Sequence, residues 1–495
     1  MLKLSNLKKG RNNFPFSRKF KSINDKMIPS LNYGMLHCRF GDSEGVSIVM
    51  RQLEGVMNKY LKIPKRKIKY LVGTSGVKSW RITQKEIISE RHPTNLLMIK
   101  NYQKGYGGGS NELIEEAILK AKKTIEKWIN KNKIDVLIVH NSSHPVNFIS
   151  SLGLSRYYRD ALKKGKRTPK YVLWWHDSHF ERKEYKNPPR DVKNYLLEGV
   201  PSKYVEHVLF INSLQLREAE KYANMIEKRN KGFKELIKKN HNVVYNTADL
   251  LIDKYTDLDK KFDKEVYDFL DFFKVKESLK SKDLDINKTL FVLQPTRIVD
   301  RKRIDFALEY SYALLEELKK QNLYQGIYFF VSGHRDMKSN IVKKNLYKLN
   351  RSLQKKYNTD KVILVFAEDN LPIKNLFFED YPKIFAKLGG ISTYFSQVEG
   401  FGNNLLEVLA SGLIPVVYKY PVFKKDIQKF NFNLIAFDKY LMSSKKIRDS
   451  VDLLKNKKKR KKWVEENLKI LKKNLSHNLV AYKLKQAIIS KRKHF

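Results

Sequence analysis

The sequence predicts an α/β protein made of two doubly wound parallel-sheet halves. Short apolar runs end in Gly, Ser or other polar residues, and each is followed by a stretch with helical periodicity. That alternation argues for parallel strands with helices on both faces. The series occurs twice, interrupted at 251–287 by a looser stretch of Lys, Asp and Phe. With 495 residues, 42% of them hydrophobic, the chain is long enough for two or three domains with real cores.

In chain order, residues 1–25 read as a basic lead-in, and 26–250 as a first α/β domain. The apolar run GMLHCRF predicts a buried strand, FGDSEGVS a turn carrying Gly41 and Gly45, and SIVMRQLEGVMNKYL a helix. IKYLVGT, DVLIVHN, YVLWWHD, HVLFINS and NVVYNT continue the strands, with helical stretches such as NELIEEAILKAKKTIEKWIN and SLQLREAEKYANMI between them. After the junction at 251–287, a second domain over 288–440 carries TLFVLQPTR, IYFFVSGH, KVILVFAED, GGISTYFS and LIPVVYK. Residues 441–495 read as a basic helical tail.

The formal net charge is +47. Three origins compete: nucleic-acid binding, attraction to an anionic membrane surface, or a lysine-favouring composition. The lysines are spread along the chain among Asn and Ile, and the densest run, KKKRKK at 457–462, reads as a solvated helix face. No zinc-finger spacing, aromatic RNA-binding motif or heptad-bearing basic region accompanies it, so no specific nucleic-acid partner is expected. No apolar stretch is long enough to span a bilayer, and the basic N-terminal residues lack the apolar centre of a secretory leader. The single cysteine, Cys38, allows no internal disulfide. A reducing compartment is expected, most simply the cytosol, and the charge is compatible with peripheral contact at a membrane.

In open α/β sheets, ligands bind beyond the carboxyl ends of the strands. The polar residues just after each strand are therefore the ones that carry chemistry. The most informative of these lie at 396–427, SQVEGFGNNLLEVLASGLIPVVYKYPVFKKDI. Glu399 and Glu407 have seven residues between them and enclose GFG, between two apolar strands. Gly400 and Gly402 allow close backbone approach, and a helix is expected to begin near Asn403 or Asn404. Its N-terminus would offer unpaired N–H groups and the positive dipole end to a diphosphate. The plainer reading of Glu407 is an exposed helix residue.

This segment resembles the E-x7-E signature of the family 4 retaining glycosyltransferases, which have the GT-B architecture of two facing Rossmann-like domains. The resemblance implies that Glu407 accepts hydrogen bonds from a ribose, that Glu399 contacts hydroxyls of the transferred sugar, and that Gly400, Phe401, Gly402, Asn403 and Asn404 line the donor site. In QPTRIVDRKR, Arg297 and Lys302 are five apart just after a strand, and a pair so placed holds the donor diphosphate in that family. Thr296 stands where the family usually has Gly, and Arg301 and Arg303 are neighbouring cations. The plainer reading is a basic turn in a basic protein. The base pocket is expected around Gly333 and residues 366–368.

In the first half, Gly41, Asp42 and Gly45 resemble the family's loop near the donor phosphates and the acceptor. His140 begins HNSSHPVN and is placed toward the acceptor. WWHDSHFER resembles an HD-x-x-x-ER pattern in one branch of the family, which implies that His176 lies over the sugar and Asp177 near the acceptor. Asn246 to Asp249 stand where the family has Asn-Gly-x-Asp, without the Gly. The resemblance also implies a tail whose last helix crosses back onto the N-terminal domain.

The implied reaction is transfer of a hexosyl unit, with retention, from a nucleotide-diphosphate sugar to a glycan, lipid or sugar phosphate. His176, Glu399, Arg297 and Lys302 would form the catalytic set. No metal-ligand spacing or convincing Asp-x-Asp appears, so no cofactor or metal is expected, and the leaving diphosphate would be neutralised by fixed cations and the helix start. Same-face attack, with the departing phosphate taking the acceptor proton, is favoured over a covalent adduct on Glu399. The alternatives are a basic nucleic-acid- or membrane-surface-binding protein on an inactive GT-B scaffold, and a related epimerase or phosphorylase.

Overall fold

A computed structural model describes residues 23–41, 45–228, 230–248, 260–333, 339–370 and 380–491. Asp42 and Asp249 lie outside these residues. The chain divides into two compact units. One comprises Met1–Leu209, Glu220–Asn242 and Leu484–Phe495, and the other Phe210–Ala219 and Val243–Lys483.

The first sheet contains β1 (Tyr33–Phe40), β2 (Ile68–Ser75), β3 (Ile82–Gln84), β4 (Val136–His140), β5 (Lys170–Trp175), β6 (His207–Phe210) and β7 (His241–Val243). Their order is β3-β2-β1-β4-β5-β6-β7. The second contains β8 (Thr289–Gln294), β9 (Gly326–Val331), β10 (Val362–Phe366), β11 (Ile391–Tyr394), β12 (Pro415–Tyr418) and β13 (Ile435–Phe437), in the order β10-β9-β8-β11-β12-β13. Neighbours in the second sheet pair in parallel throughout. Each sheet thus reverses its winding between its first and fourth strands, which is the Rossmann-like order. The crevices outside β1 and β4, and outside β8 and β11, are where such sheets take ligands.

The inner strands read as continuous apolar runs because both faces are covered. Along β8, Leu290 and Val292 enter one core with the helices Ile304–Lys320 and Ser444–Lys455. Phe291 and Leu293 enter the opposite core with the helices Lys264–Phe272 and Asp380–Lys387. This is the two-residue period of a strand, with both phases apolar.

The stretch expected as a loose junction is, from Lys260 onward, part of the second unit. Its helices Lys264–Phe272 and Val275–Lys280 bury Val266, Phe269 and Leu279, and Phe273 between them is buried as well. Phe269 and Phe273 supply core contacts, while Lys264, Asp268, Asp271 and Lys276 line the exposed face. The KKKRKK run is likewise not wholly solvated. It opens the helix Lys457–Asn474, and Arg460 turns inward, donating to the carbonyls of Gly389 (2.9 Å) and Gly390.

The helix His477–Ile489 follows, and the last residues group with the first unit. There, buried Lys170 donates to Ser490 Oγ at 2.9 Å, and His207 Nδ1 lies 3.2 Å from the same oxygen. Among the described residues, no helix is long and apolar enough to cross a membrane.

Candidate active site

In the second unit, the polar residues after β8, β9 and β11 converge. Beyond β8 the chain makes a short turn, Asp300–Lys302, that carries Lys302 inward. Lys302 Nζ pairs with Glu399 Oε1; the two side chains are 6% and 10% exposed. Arg301 Nη1 lies 3.7 Å from Glu399 Oε2 and donates to the carbonyl of Val398 at 2.7 Å. The peptide N–H of Gln397 donates to Arg301 O at 2.8 Å, so the two loops are fastened by backbone as well as by charge. Arg297, between β8 and that turn, is exposed. Gly333, just beyond β9, packs against it so closely that a Cβ there would come 1.9 Å from Thr296 O and 2.5 Å from Arg297 Cα.

Electrostatics within the pair are opposed. Burial pushes the Lys302 ammonium below its ordinary value, against the pull of Glu399. Burial also works against ionisation of Glu399, but Lys302 and Arg301 outweigh it and hold the carboxyl below the usual glutamate range.

The helix expected near Asn403 or Asn404 is Asn403–Ala410, capped by Gly402 at φ +112° and ψ +57°. A Cβ on Gly402 would meet Tyr420 Oη at 2.3 Å. Tyr420, fully buried, donates to Phe401 O at 2.6 Å. Asn212 Nδ2 donates to Gly400 O, and Asn246 Nδ2 to Asn403 Oδ1, both at 2.6 Å. Tyr245 stacks on Phe401, with ring centroids 5.1 Å apart. Leu405, Leu406 and Leu409 fix the opposite face against Leu471 and Leu475. The helix start is therefore held on every side while its first N–H groups remain without intrahelical partners, the arrangement that suits an anion. Asn404 and Glu407 are half-buried on this helix.

In the first unit, His140 ends β4 and His176 follows β5. His140 Nδ1 is 3.1 Å from His176 Nε2. Asp177, expected toward an acceptor, has its Oδ2 engaged by Arg182 Nε at 2.9 Å. Glu181 accepts from Trp175 Nε1 at 3.1 Å and Ser178 Oγ at 2.5 Å, so much of the HD-x-x-x-ER segment bonds to itself. Gly41 follows β1 with φ +82°, and Gly45 opens the helix Gly45–Leu61. Among the described residues, no three His, Cys, Asp or Glu side chains are grouped to share a metal ion.

Residues 275–469, which hold all of these second-unit loops except Asn212, Tyr245 and Asn246, match the family model of glycosyl transferases group 1. Over this stretch the chain is similar to glycosyl transferases group 1. The glycosyltransferase is 26% identical over 425 residues to a mannosylglucosylglycerate synthase of Petrotoga mobilis, covering 82% of this chain and 86% of that one. A protein of the same name from Thermotoga maritima is 24% identical over 427 residues, covering 82% and 84%. Among solved structures, a UDP-forming α,α-trehalose-phosphate synthase from Burkholderia xenovorans superposes with a TM-score of 0.58. It covers 93% of this chain and 99% of its own at 9% identity, a likeness of fold alone.

Sequence reading of the glycosyltransferase missed Asn212 and Tyr420, which hold the GFG loop. Both stand just beyond strands, β6 and β12, where polar side chains were the signal to follow. Tyr394 was missed as well: fully buried at the end of β11, it lies beneath Lys302, whose Nζ is 5.9 Å from the ring centroid.

Proposed function

We propose that this glycosyltransferase moves a hexosyl unit, with retention and without a metal ion, from a nucleotide-diphosphate sugar to a hydroxyl acceptor. The observation that carries the reading is the nearly buried Lys302–Glu399 pair set beside the Gly402-capped helix start. A diphosphate placed there would meet Lys302, Arg297 and the N–H groups of Asn403 and Asn404. That supplies preorganised positive charge where the leaving group becomes negative. Glu399 would take hydroxyls of the sugar and Glu407 those of the ribose. His176 and Asp177 keep the roles their motif implies, toward the sugar and the acceptor.

Chemically, the anomeric carbon–phosphate oxygen bond breaks and a glycosidic bond forms on the same face. The departing diphosphate receives the acceptor proton. The name shared by the two relatives points to a mannosyl unit and an acceptor of the glucosylglycerate kind. Such an acceptor carries a carboxylate, which suits a chain of net charge +47.

A thermal-shift screen with uridine, guanosine and adenosine diphosphate sugars tests the donor. A ligand at 100 times its Kd stabilises by about 2.7 kcal/mol, and Lys302→Ala and Glu407→Ala are expected to remove that gain. Transfer to glucosylglycerate, followed by NMR of the anomeric proton, tests acceptor and stereochemistry. Loss of turnover in chelator, or no stabilisation by any donor, would overturn the proposal.

A further inference from the structure

Turns that lead into the strands of a parallel sheet emerge at its amino edge, opposite the edge that takes ligands. In the first sheet β3, β2, β1, β4 and β5 pair in parallel in that order, so their lead-in turns lie side by side across about 20 Å. Cations far apart in the chain meet there. Lys65 and Arg66 precede β2, Lys133 precedes β4, and Lys164, Lys166 and Arg167 precede β5; all six are exposed. Contacts run along the edge from strand to strand. Arg81 Nη1 donates to Lys65 O at 3.3 Å, Lys67 Nζ to Asn32 Oδ1 at 3.2 Å, and Asn32 Nδ2 to Lys133 O at 3.1 Å. Asp135 accepts from the Asn32 N–H at 2.9 Å and from Arg167 Nη2 at 2.5 Å.

Three acids border this row, and each is engaged: Glu54 by Arg81 at 2.9 Å, Asp135 by Arg167 at 2.5 Å, and Glu126 by Lys166 at 3.8 Å. The edge therefore presents a field of one sign.

At its β3 end stands Trp80, 74% exposed. Tryptophan is buried in most proteins, and this one is held in place. The carbonyl of Arg81 accepts from the Tyr70 N–H at 2.9 Å, the Ile82 N–H donates to Ser79 O at 3.0 Å, and Lys69 Nζ lies 3.4 Å from the Trp80 ring centroid. A fixed, solvent-facing indole beside a row of cations suits the boundary of an anionic bilayer. Indole rings settle at the headgroup level, and each nearby Lys or Arg gains from the negative surface potential. A stacked nucleobase needs an open ring face, and Lys69 covers one of the two.

We propose that the amino edge of the first sheet is a docking surface for an anionic lipid bilayer, with Trp80 entering the headgroup layer and the row from Lys65 to Arg167 meeting lipid phosphates. Docking by this edge leaves the carboxyl edge of the same sheet, with His140 and His176, turned away from the lipid and open to small ligands. The surface is separate from the transfer reaction and does not depend on which donor or acceptor is used.

Co-sedimentation of the full chain with phosphatidylcholine vesicles, with and without phosphatidylglycerol, tests this. Binding is expected to the anionic vesicles, to weaken as salt rises, and to be at least about tenfold weaker on phosphatidylcholine alone. The double variant Lys65→Glu, Arg66→Glu is expected to lose at least about 25-fold in affinity, at about fivefold per cation removed. Lys461→Glu with Lys462→Glu changes the net charge equally on another exposed helix face and should stay within about twofold of the parent. Trp80→Ala should weaken binding about tenfold. Vesicles should shift the tryptophan emission to the blue in the parent and not in Trp80→Phe, since Trp128, Trp174 and Trp175 are buried. No binding of the parent to anionic vesicles, equal binding to both vesicle types, or equal losses in the two double variants would overturn the proposal. So would binding of an oligonucleotide that depends on Trp80 while vesicles leave the emission unchanged. The parent protein decides even if a variant does not fold.

Discussion

Lys302 and Glu399 form an ion pair at the carboxyl edge of the second sheet, each side chain at most one-tenth exposed. Breaking one side of a buried pair leaves an uncompensated charge, so Glu399→Gln is expected to cost about 3 kcal/mol at neutral pH. The sign of the pH effect follows from the carboxyl's lowered value. In the fold Glu399 titrates below its ordinary 4.5, so its contribution is complete above that pH and is lost as pH falls through the lower folded value. Melting curves of both proteins across this acid range should therefore converge toward low pH. Parallel curves would show that the pair contributes nothing.

Gly402 and Tyr420 should be coupled. Gly402→Ala places a Cβ 2.3 Å from Tyr420 Oη in a backbone conformation that side chains seldom adopt. The expected cost is about 1–3 kcal/mol. Tyr420→Phe alone loses the bond to Phe401 O, worth about 1 kcal/mol. Because the phenylalanine also removes the clash, the double variant should be less destabilised in urea than the sum of the two. Strict additivity would mean that the loop does not rest on the phenol. Donor affinity should fall in both single variants, since each disturbs the helix start.

Arg460 separates structural charge from surface charge within one basic run. It is 4% exposed and donates to two backbone carbonyls, whereas Lys461 is exposed. Arg460→Ala is expected to destabilise by about 3 kcal/mol, through buried carbonyls left unpaired as well as lost packing. Lys461→Ala should stay within about 0.5 kcal/mol of the parent. Equal effects in chemical denaturation would return the whole run to the solvated helix face that its composition suggested.

The parts of the fold that could be read early are those encoded locally. Uninterrupted apolar runs gave β4, β5, β8 and β9 because strands buried on both faces need apolar side chains in both phases. The helix beginning at Asn403 was legible because GFG followed by Asn-Asn is local turn and cap chemistry. The edge strands β3 and β13 were not, being three residues each, too short to show a period. The helices after Lys260 were missed because interleaved Lys and Asp masked the Phe and Val that face the core.

By itself, the sequence determined two wound sheets and the polar residues at their carboxyl edges, since periodicity and turn chemistry are properties of neighbours along the chain. Tertiary structure alone decided that Lys302 would pair with Glu399, that Arg460 would face inward while Lys461 faced out, that Tyr420 would support Phe401, and that His140 would meet His176. Those choices join residues 19 to 97 positions apart or select one of several equivalent cations. They depend on which side chains packing brings within hydrogen-bond reach and removes from water, information that no local pattern contains.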